Sequence, residues 1–203
     1  ITLASGDTLS FDIAVNAAGA WSGAVARLAG IDIPVEPRKR YVYVLDCRDA
    51  PEDLHGGPLT VLPDGIHFRP EGQMFICGRS PDPGCEPTDL DLEMIDYDYF
   101  EDLIWPSLAA YVPAFEAIKV VNAWAGYYDF NTFDHNAIIG AHPELENFYM
   151  ITGFSGHGIQ QAAGAGRGVA ELIMHGRFQT LDLTCFSPAR ILENRPLYER
   201  NVI

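Results

Sequence analysis

The most constraining stretch of this chain runs from Gly153 to Ile173: Gly-Phe-Ser-Gly-His-Gly, then a run rich in alanine and glycine. It follows an apolar run, Phe148 to Ile151, that reads as a short buried strand. Gly153, Gly156 and Gly158 open a small-residue helix, with Ala162, Gly166, Ala170 and Ile173 on one face. Strand, glycine turn and helix in that order leave backbone N–H groups bare at the positive end of a helix dipole. Such an end suits an anion or a ring with partial negative charge. Gly164, Gly166 and Gly168 each cost about 1 kcal/mol against alanine in a helix interior. A sequence carries that cost where a strand, another backbone or a flat ligand comes close, so the stretch is either a ligand cradle or a tightly packed helix.

The amino end repeats the pattern. Residues 1–16 read as two strands around Ser5-Gly6-Asp7-Thr8, the second being Leu9 to Val15. Asn16-Ala17-Ala18-Gly19-Ala20-Trp21-Ser22 follows, then a helix from Gly23 to Leu28 stopped by Gly30. Two strand–turn–helix units at the carboxyl edge of one sheet are placed to face a single ligand.

Between them the texture changes. Pro34 to Leu45 reads as a strand entered through prolines, and Leu59–Leu62, Ile66–Pro70 and Met74–Arg79 as three shorter strands. Short turns such as Pro63-Asp64-Gly65 and Glu71-Gly72 make these antiparallel neighbours. Residues 81–87 read as a loop. Leu90 to Val112 reads as a helix broken at Pro106. Lys119–Tyr128 and Ala137–Gly140 are strands flanking a loop, and residues 177–203 form a tail with little pattern. The fold expected is mixed α+β and α/β. A layer formed by 1–30 and 132–176 carries an antiparallel-sheet domain inserted at 31–131, and the tail follows.

Bulk properties narrow the function. At 203 residues the chain can bury a core. No apolar run approaches the ~20 residues of a membrane-spanning helix. The start, Ile1-Thr2-Leu3, has neither an initiating methionine nor the basic and apolar parts of a signal peptide. It reads as the start of a fragment or a processed chain, with any targeting segment upstream. A net charge of −15 argues against a nucleic-acid partner. The acidic stretch from Glu86 to Asp102 is a solvated helix face or a docking surface for a basic partner. The four cysteines show no metal-ligand spacing and point to a reducing compartment.

Three segments occur in this order in a known family: Asn16-Ala17-Ala18-Gly19-Ala20-Trp21-Ser22, Asp134-His135-Asn136-Ala137-Ile138-Ile139-Gly140, and Gly153-Phe154-Ser155-Gly156-His157-Gly158. The chain resembles flavoproteins of the D-amino-acid oxidase superfamily, in the branch of sarcosine oxidase and dimethylglycine dehydrogenase. The resemblance covers the whole chain, but only the carboxyl-terminal half or so of a full member. It implies a partial, glutathione-reductase-like FAD-binding layer, and an inserted substrate domain whose sheet roofs the isoalloxazine ring. The Rossmann βαβ unit with its G-x-G-x-x-G belongs upstream. The implied chemistry is hydride removal from the C–H beside a secondary or tertiary amine, followed by hydrolysis of the imine. The implied substrates are small N-methylated or cyclic amino acids.

The resemblance also implies roles. Ala17, Ala18, Gly19, Trp21, Gly153, Ser155, Gly156, His157, Gly158, Ile159 and Gln160 would lie along FAD. His157, Tyr127 and Tyr128 are catalytic candidates, and Arg38, Arg69 and Tyr127 candidates for holding substrate. As neighbours on one strand, Tyr127 and Tyr128 cannot both point inward. Related oxidases carry a flavin-linking cysteine where Tyr127 stands, so FAD would be non-covalent. They place a lysine near Ile76 that helps oxygen react, and another where Gln160 stands; neither is present here. That implies a dehydrogenase passing electrons to a protein partner rather than an oxidase. The stretches Trp124–Asp129 and Gly176–Thr180 are similar to members linked to assembly of respiratory complex I. They imply an alternative: a flavoprotein assembly or binding factor with little turnover. The compartment would be cytoplasmic in a bacterium and the mitochondrial matrix in a eukaryote. No metal is implied.

Overall fold

A computed structural model describes residues 1–82, 84–87 and 89–200. Position 83 of the expected 81–87 loop, position 88 of the acidic stretch and the last three residues of the expected tail lie outside them. The chain divides into two units, Ile1–Pro37 with the chain from Tyr128 onward, and Arg38–Tyr127.

In the first unit, β1 (Ala14–Asn16) pairs in parallel with β8 (Leu145–Thr152), and β8 pairs antiparallel with β7 (Ile138–His142). Parallel neighbours need a long connection, and here everything from residue 17 to 144 supplies it. Ala26, Ile31, Val35, Ile138, Phe148 and Met150 bury one face of this sheet. On the other face Ala137, Ile139 and Phe154 pack against Ala165 and Val169 of α4 (Gly158–His175). Helix α1 (Ser22–Leu28) follows a 3₁₀ turn, Gly19–Trp21. The expected hairpin over 1–13 reduces to one bridge, Thr2 to Thr8. Its alternating Leu9, Phe11 and Ile13 are exposed, with no apolar surface among the described residues to hold them as a strand.

The second unit is an antiparallel sheet in the order β3-β4-β5-β2-β6: β3 is Thr60–Val61, β4 His67–Glu71, β5 Met74–Gly78, β2 Val35–Asp46 and β6 Lys119–Asn131. The expected meander is present. Tyr43, Leu45, Phe68, Phe75 and Cys77 project from one face onto Phe100, Ile104, Leu108 and Phe115. Phe115 meets Phe68 and Phe75 edge-on at 5.3 and 5.2 Å, a geometry worth about 0.5–1.5 kcal/mol per pair beyond area burial.

The helix expected from Leu90 begins only at α2 (Tyr97–Tyr99). Upstream, the carboxylates of Asp89 and Asp91 take the N–H groups of Asp91 and Glu93, and such local bonds compete with the helix. Asp96 then caps the start by accepting from Tyr99 N at 2.9 Å. Pro106 does not break the segment as expected. A π-helical turn, Phe100–Ile104, runs without interruption into α3 (Trp105–Tyr111), and this widened turn carries the segment past the proline, which has no N–H to donate.

The tail is ordered rather than patternless. Beyond Gly176, which ends α4 at φ 68°, it forms a 3₁₀ turn and α5 (Ala189–Leu192). It also accounts for one helix glycine. A Cβ at Gly168 would lie 2.6 Å from Leu183 and 3.3 Å from Phe178. The face carrying Ala162, Gly166 and Ala170 is exposed, and Ala165, Gly168 and Val169 form the buried one.

Candidate functional site

Because β1 and β8 run parallel as neighbours, both small-residue turns leave the same edge of one sheet. They are bonded together beneath. Thr152 at the end of β8 reaches Ser22 Oγ at 2.6 Å and Gly19 O at 3.4 Å. Asn16, buried at the end of β1, donates to Ser22 O at 2.9 Å and accepts from Ala18 N at 3.3 Å. In the first turn Gly19 takes φ 54°, where a side chain is strained, Ala17 is exposed, and Trp21 stands 53% exposed rather than in the core.

The second turn is built more tightly. Gly153, Ser155 and Gly156 all have positive φ, at 69°, 48° and 96°. A Cβ at Gly153 would meet Val35 at 3.1 Å and Asn131 at 3.3 Å; one at Gly156 would fall 2.7 Å from the Tyr128 hydroxyl. Three residues of β6 hold the turn. Tyr128 donates its hydroxyl to Ser155 O. Asp129 accepts Ser155 N on its carbonyl at 3.2 Å and Phe154 N on its carboxylate at 3.0 Å. Asn131 donates its N–H to Ser155 Oγ at 3.0 Å. Phe130 stacks toward His135 at 4.8 Å. Burial raises the Asp129 carboxyl above the usual carboxylate range, and its bond from Phe154 N opposes that.

From this turn α4 begins without a side-chain cap. Gln161 N is the first amide to close a bond along the helix, onto His157 O. The N–H groups of Gly158, Ile159 and Gln160 therefore have no partner among the described residues, the ordinary state of a helix amino end awaiting an acceptor. Ile159 is 91% exposed and Gln160 is exposed beside it. His157 is half-buried, and its imidazole makes no hydrogen bond among the described residues. Open donors at a positive helix end fit the edge of a flat ring that gathers negative charge. The residues present thus fit the flavin end of FAD.

The remaining candidates belong to the second unit. Tyr127 belongs to the second unit, and its hydroxyl donates to Leu90 O at 2.8 Å, so the tyrosine pair does point to opposite faces. Arg69 is exposed and paired with Glu71. Arg38 is half-buried on β2. Among the described residues no group of histidine, cysteine and acidic side chains could hold a metal, and no helix is long and apolar enough to cross a membrane. Cysteines 47, 77, 85 and 185 are all free.

Sequence reasoning missed the support beneath the second turn. Asn131 donates to Asp134 Oδ1 at 3.0 Å, and the wholly buried Asp134 is gripped by Arg190 through Nε at 2.8 Å and Nη2 at 3.0 Å. The Asn131–Asp134 half had a local signal. Each accepts an N–H two residues on, from Phe133 and Asn136, as Asx turns do. Arg190 sits 56 residues away with no signal at all.

Comparison with known proteins identifies the family. The family profile described as FAD dependent oxidoreductase matches residues 2–172. FAD-dependent oxidoreductase domain-containing protein 1 of Xenopus laevis is 47% identical over 205 residues, covering 94% of this chain and 40% of that protein. Human mitochondrial sarcosine dehydrogenase is 29% identical over 170 residues, covering 80% of this chain and 18% of its own length. Among solved structures, L-proline dehydrogenase from P. horikoshii superposes with a TM-score of 0.77 at 28% identity, over 91% of this chain and 48% of that one. The chain thus spans less than half the length of these relatives.

Proposed function

This chain belongs to the FAD dependent oxidoreductase family, and we propose that the protein containing it oxidises the C–N bond of a small secondary or tertiary amine or amino acid, as a dehydrogenase rather than an oxidase. The open amino end of α4 beside the Ser155–Gly156 turn carries this reading. When bound, FAD supplies the two-electron acceptor. The chain's own contribution is electrostatic. The free N–H groups of Gly158, Ile159 and Gln160 would face the part of the flavin that gathers negative charge on reduction, and preorganised donors of this kind stabilise such charge without rearranging. Gln160 adds a donor but no charge, so its stabilisation is weaker than a lysine's. Tyr128 and Asp129 fix the turn's carbonyl and amides, and Gly156 leaves room for the Tyr128 ring beneath the turn. The faces of Met74 to Gly78 carry no lysine, which favours electron delivery to a protein carrier over oxygen.

Two reported relatives point to the same substrate class: one is named a sarcosine dehydrogenase, the other an L-proline dehydrogenase. The test is anaerobic reduction of the full-length, FAD-loaded protein with sarcosine, dimethylglycine and proline. Bleaching of the flavin band by one of them is the expected result. Retention of the oxidised spectrum with every secondary and tertiary amino acid tried would replace this reading with that of an assembly factor that keeps FAD for structure.

A further inference from the structure

In the second unit a groove lies where the helical segment meets the start of β6. Tyr97, Glu101 and Trp105 stand four residues apart on that segment, so one of its faces carries all three. Ile118, just before β6, Val120 within it and the buried Phe100 complete the lining. The groove encloses about 300 Å³, room for one long side chain and too little for a cofactor. Tyr97 is 48% exposed and Trp105 39% exposed. The Trp105 indole N–H donates to Phe115 O at 3.0 Å, which holds the ring in place. Large aromatic rings fixed beside a groove and left half open to water are the usual anchors of a docking surface.

The charge around them is one-sided. Between Arg79 and Lys119 the sequence has ten acidic side chains and no lysine or arginine. Asp98 and Asp102, one position on from Tyr97 and Glu101, are exposed. Glu101 belongs to none of the ion pairs of the described residues. A wholly apolar occupant would bury that carboxylate without a partner, which is costly. Nucleic acid and anionic lipid are repelled by the surrounding acids. A long side chain that ends in a cation satisfies both the rings and the carboxylate. Arginine does so better than lysine, because its flat guanidinium stacks on an aromatic face and meets a carboxylate with two parallel bonds.

We propose that this groove docks an arginine from a basic segment of a partner protein, with the guanidinium against Trp105 and Tyr97 and on the Glu101 carboxylate. A protein segment is the source, because the exposed acids beside the groove reward several cations in a row, and a single free arginine would use one of them. The inference does not depend on which amine the flavoprotein oxidises.

The experiment is calorimetric titration of the full-length, FAD-loaded protein with the peptide acetyl-Leu-Arg-Leu-Arg-Leu-amide. The control is the same peptide with citrulline at both arginines, which keeps the shape and removes the charge. The arginine peptide should bind about tenfold tighter or more. Glu101→Gln should weaken the arginine peptide about threefold to fivefold and leave the citrulline peptide unchanged. Glu52→Gln removes the same charge from a carboxylate outside the groove and should change neither. Trp105→Leu, checked by thermal melting because it also loses the bond to Phe115, should weaken both peptides. Equal binding of the two peptides overturns the proposal. So do equal losses in Glu101→Gln and Glu52→Gln, which would mean diffuse attraction to an acidic surface. Failure of the wild type to bind the arginine peptide overturns it as well, since the groove is then filled or covered by another part of the same protein.

Discussion

Replacing Arg190 by methionine tests whether the tail holds the glycine turn at 153–156. Arg190 is 3% exposed and Asp134 wholly buried. The guanidinium donates twice to that carboxylate, and also to Asn136 O at 3.1 Å and Phe186 O at 2.7 Å. Removing one member of a buried ion pair costs about 3–5 kcal/mol, because a charge is left without its counterpart. Asp134 would keep Asn131 Nδ2 at 3.0 Å, Leu197 N at 2.9 Å and a longer bond from Asn136 N, so it would not be bare. The expected loss is therefore near the low end, about 3 kcal/mol. The full-length relatives are more than twice this chain's length, so at roughly 1–2 °C per kcal/mol the melting midpoint of the full-length protein should fall by about 3–6 °C. Asp134→Asn combined with Arg190→Met should lose less than the sum of the single losses, since the second change removes the stranded charge. Through Asn131 and Ser155, FAD should also wash out faster on dialysis. A fall under about 2 °C, or strict additivity in the double variant, would refute the view that this pair anchors the turn.

Gly156→Ala adds a Cβ 2.7 Å from the Tyr128 hydroxyl at φ 96°; the full-length protein should then emerge from gel filtration without yellow colour while still melting cooperatively. Tyr128→Phe keeps the ring under Gly156 but removes the donor to Ser155 O, a loss of about 1 kcal/mol that should appear as a severalfold higher FAD dissociation constant by fluorescence titration. Glu171 is held down at about 2 by the Thr180 hydroxyl, the Gln179 and Thr180 amides and Arg167, against burial. Its folded pKa lies below the unfolded value, so its contribution is present above about 4.5 and fades as pH falls toward 2. Glu171→Gln should accordingly lower the melting midpoint at pH 7 and flatten its acid limb between those values.

The parts legible in the sequence were those whose causes are local. Glycine clusters after β-runs marked both turns, and short Pro-Asp-Gly and Glu-Gly links marked the meander between β3 and β5. The apolar spacing of 90–112 looked helical but hid a competition that the aspartates win up to Asp96. At the amino end the alternation of Leu9, Phe11 and Ile13 was genuine, yet a strand needs a partner surface and none is described there. The tail shows the limit of local reading most clearly. Its meaning lies in one arginine meeting one aspartate across 56 residues, and no period or motif encodes a long-range ion pair.

The turn itself shows why glycine alone does not make such a site. Ser155, between two glycines, also sits at positive φ, where a non-glycine residue is strained by about 1–3 kcal/mol. Glycine would relieve that strain but would strip the buried Asn131 N–H of its acceptor, Ser155 Oγ. Alanine would keep the strain and lose the bond as well. Serine is the residue that closes the hydrogen bonds of both the turn and β6, because its hydroxyl takes Asn131 N while its own N–H and carbonyl go to Asp129 and Tyr128. Those bonds offset the strain and lock the carbonyl inward. The next free amides, from Gly158 on, are then left as the open donors. The open amino end of α4 is thus the outcome of a filled network beneath it, and it should lose its aim wherever that network is cut.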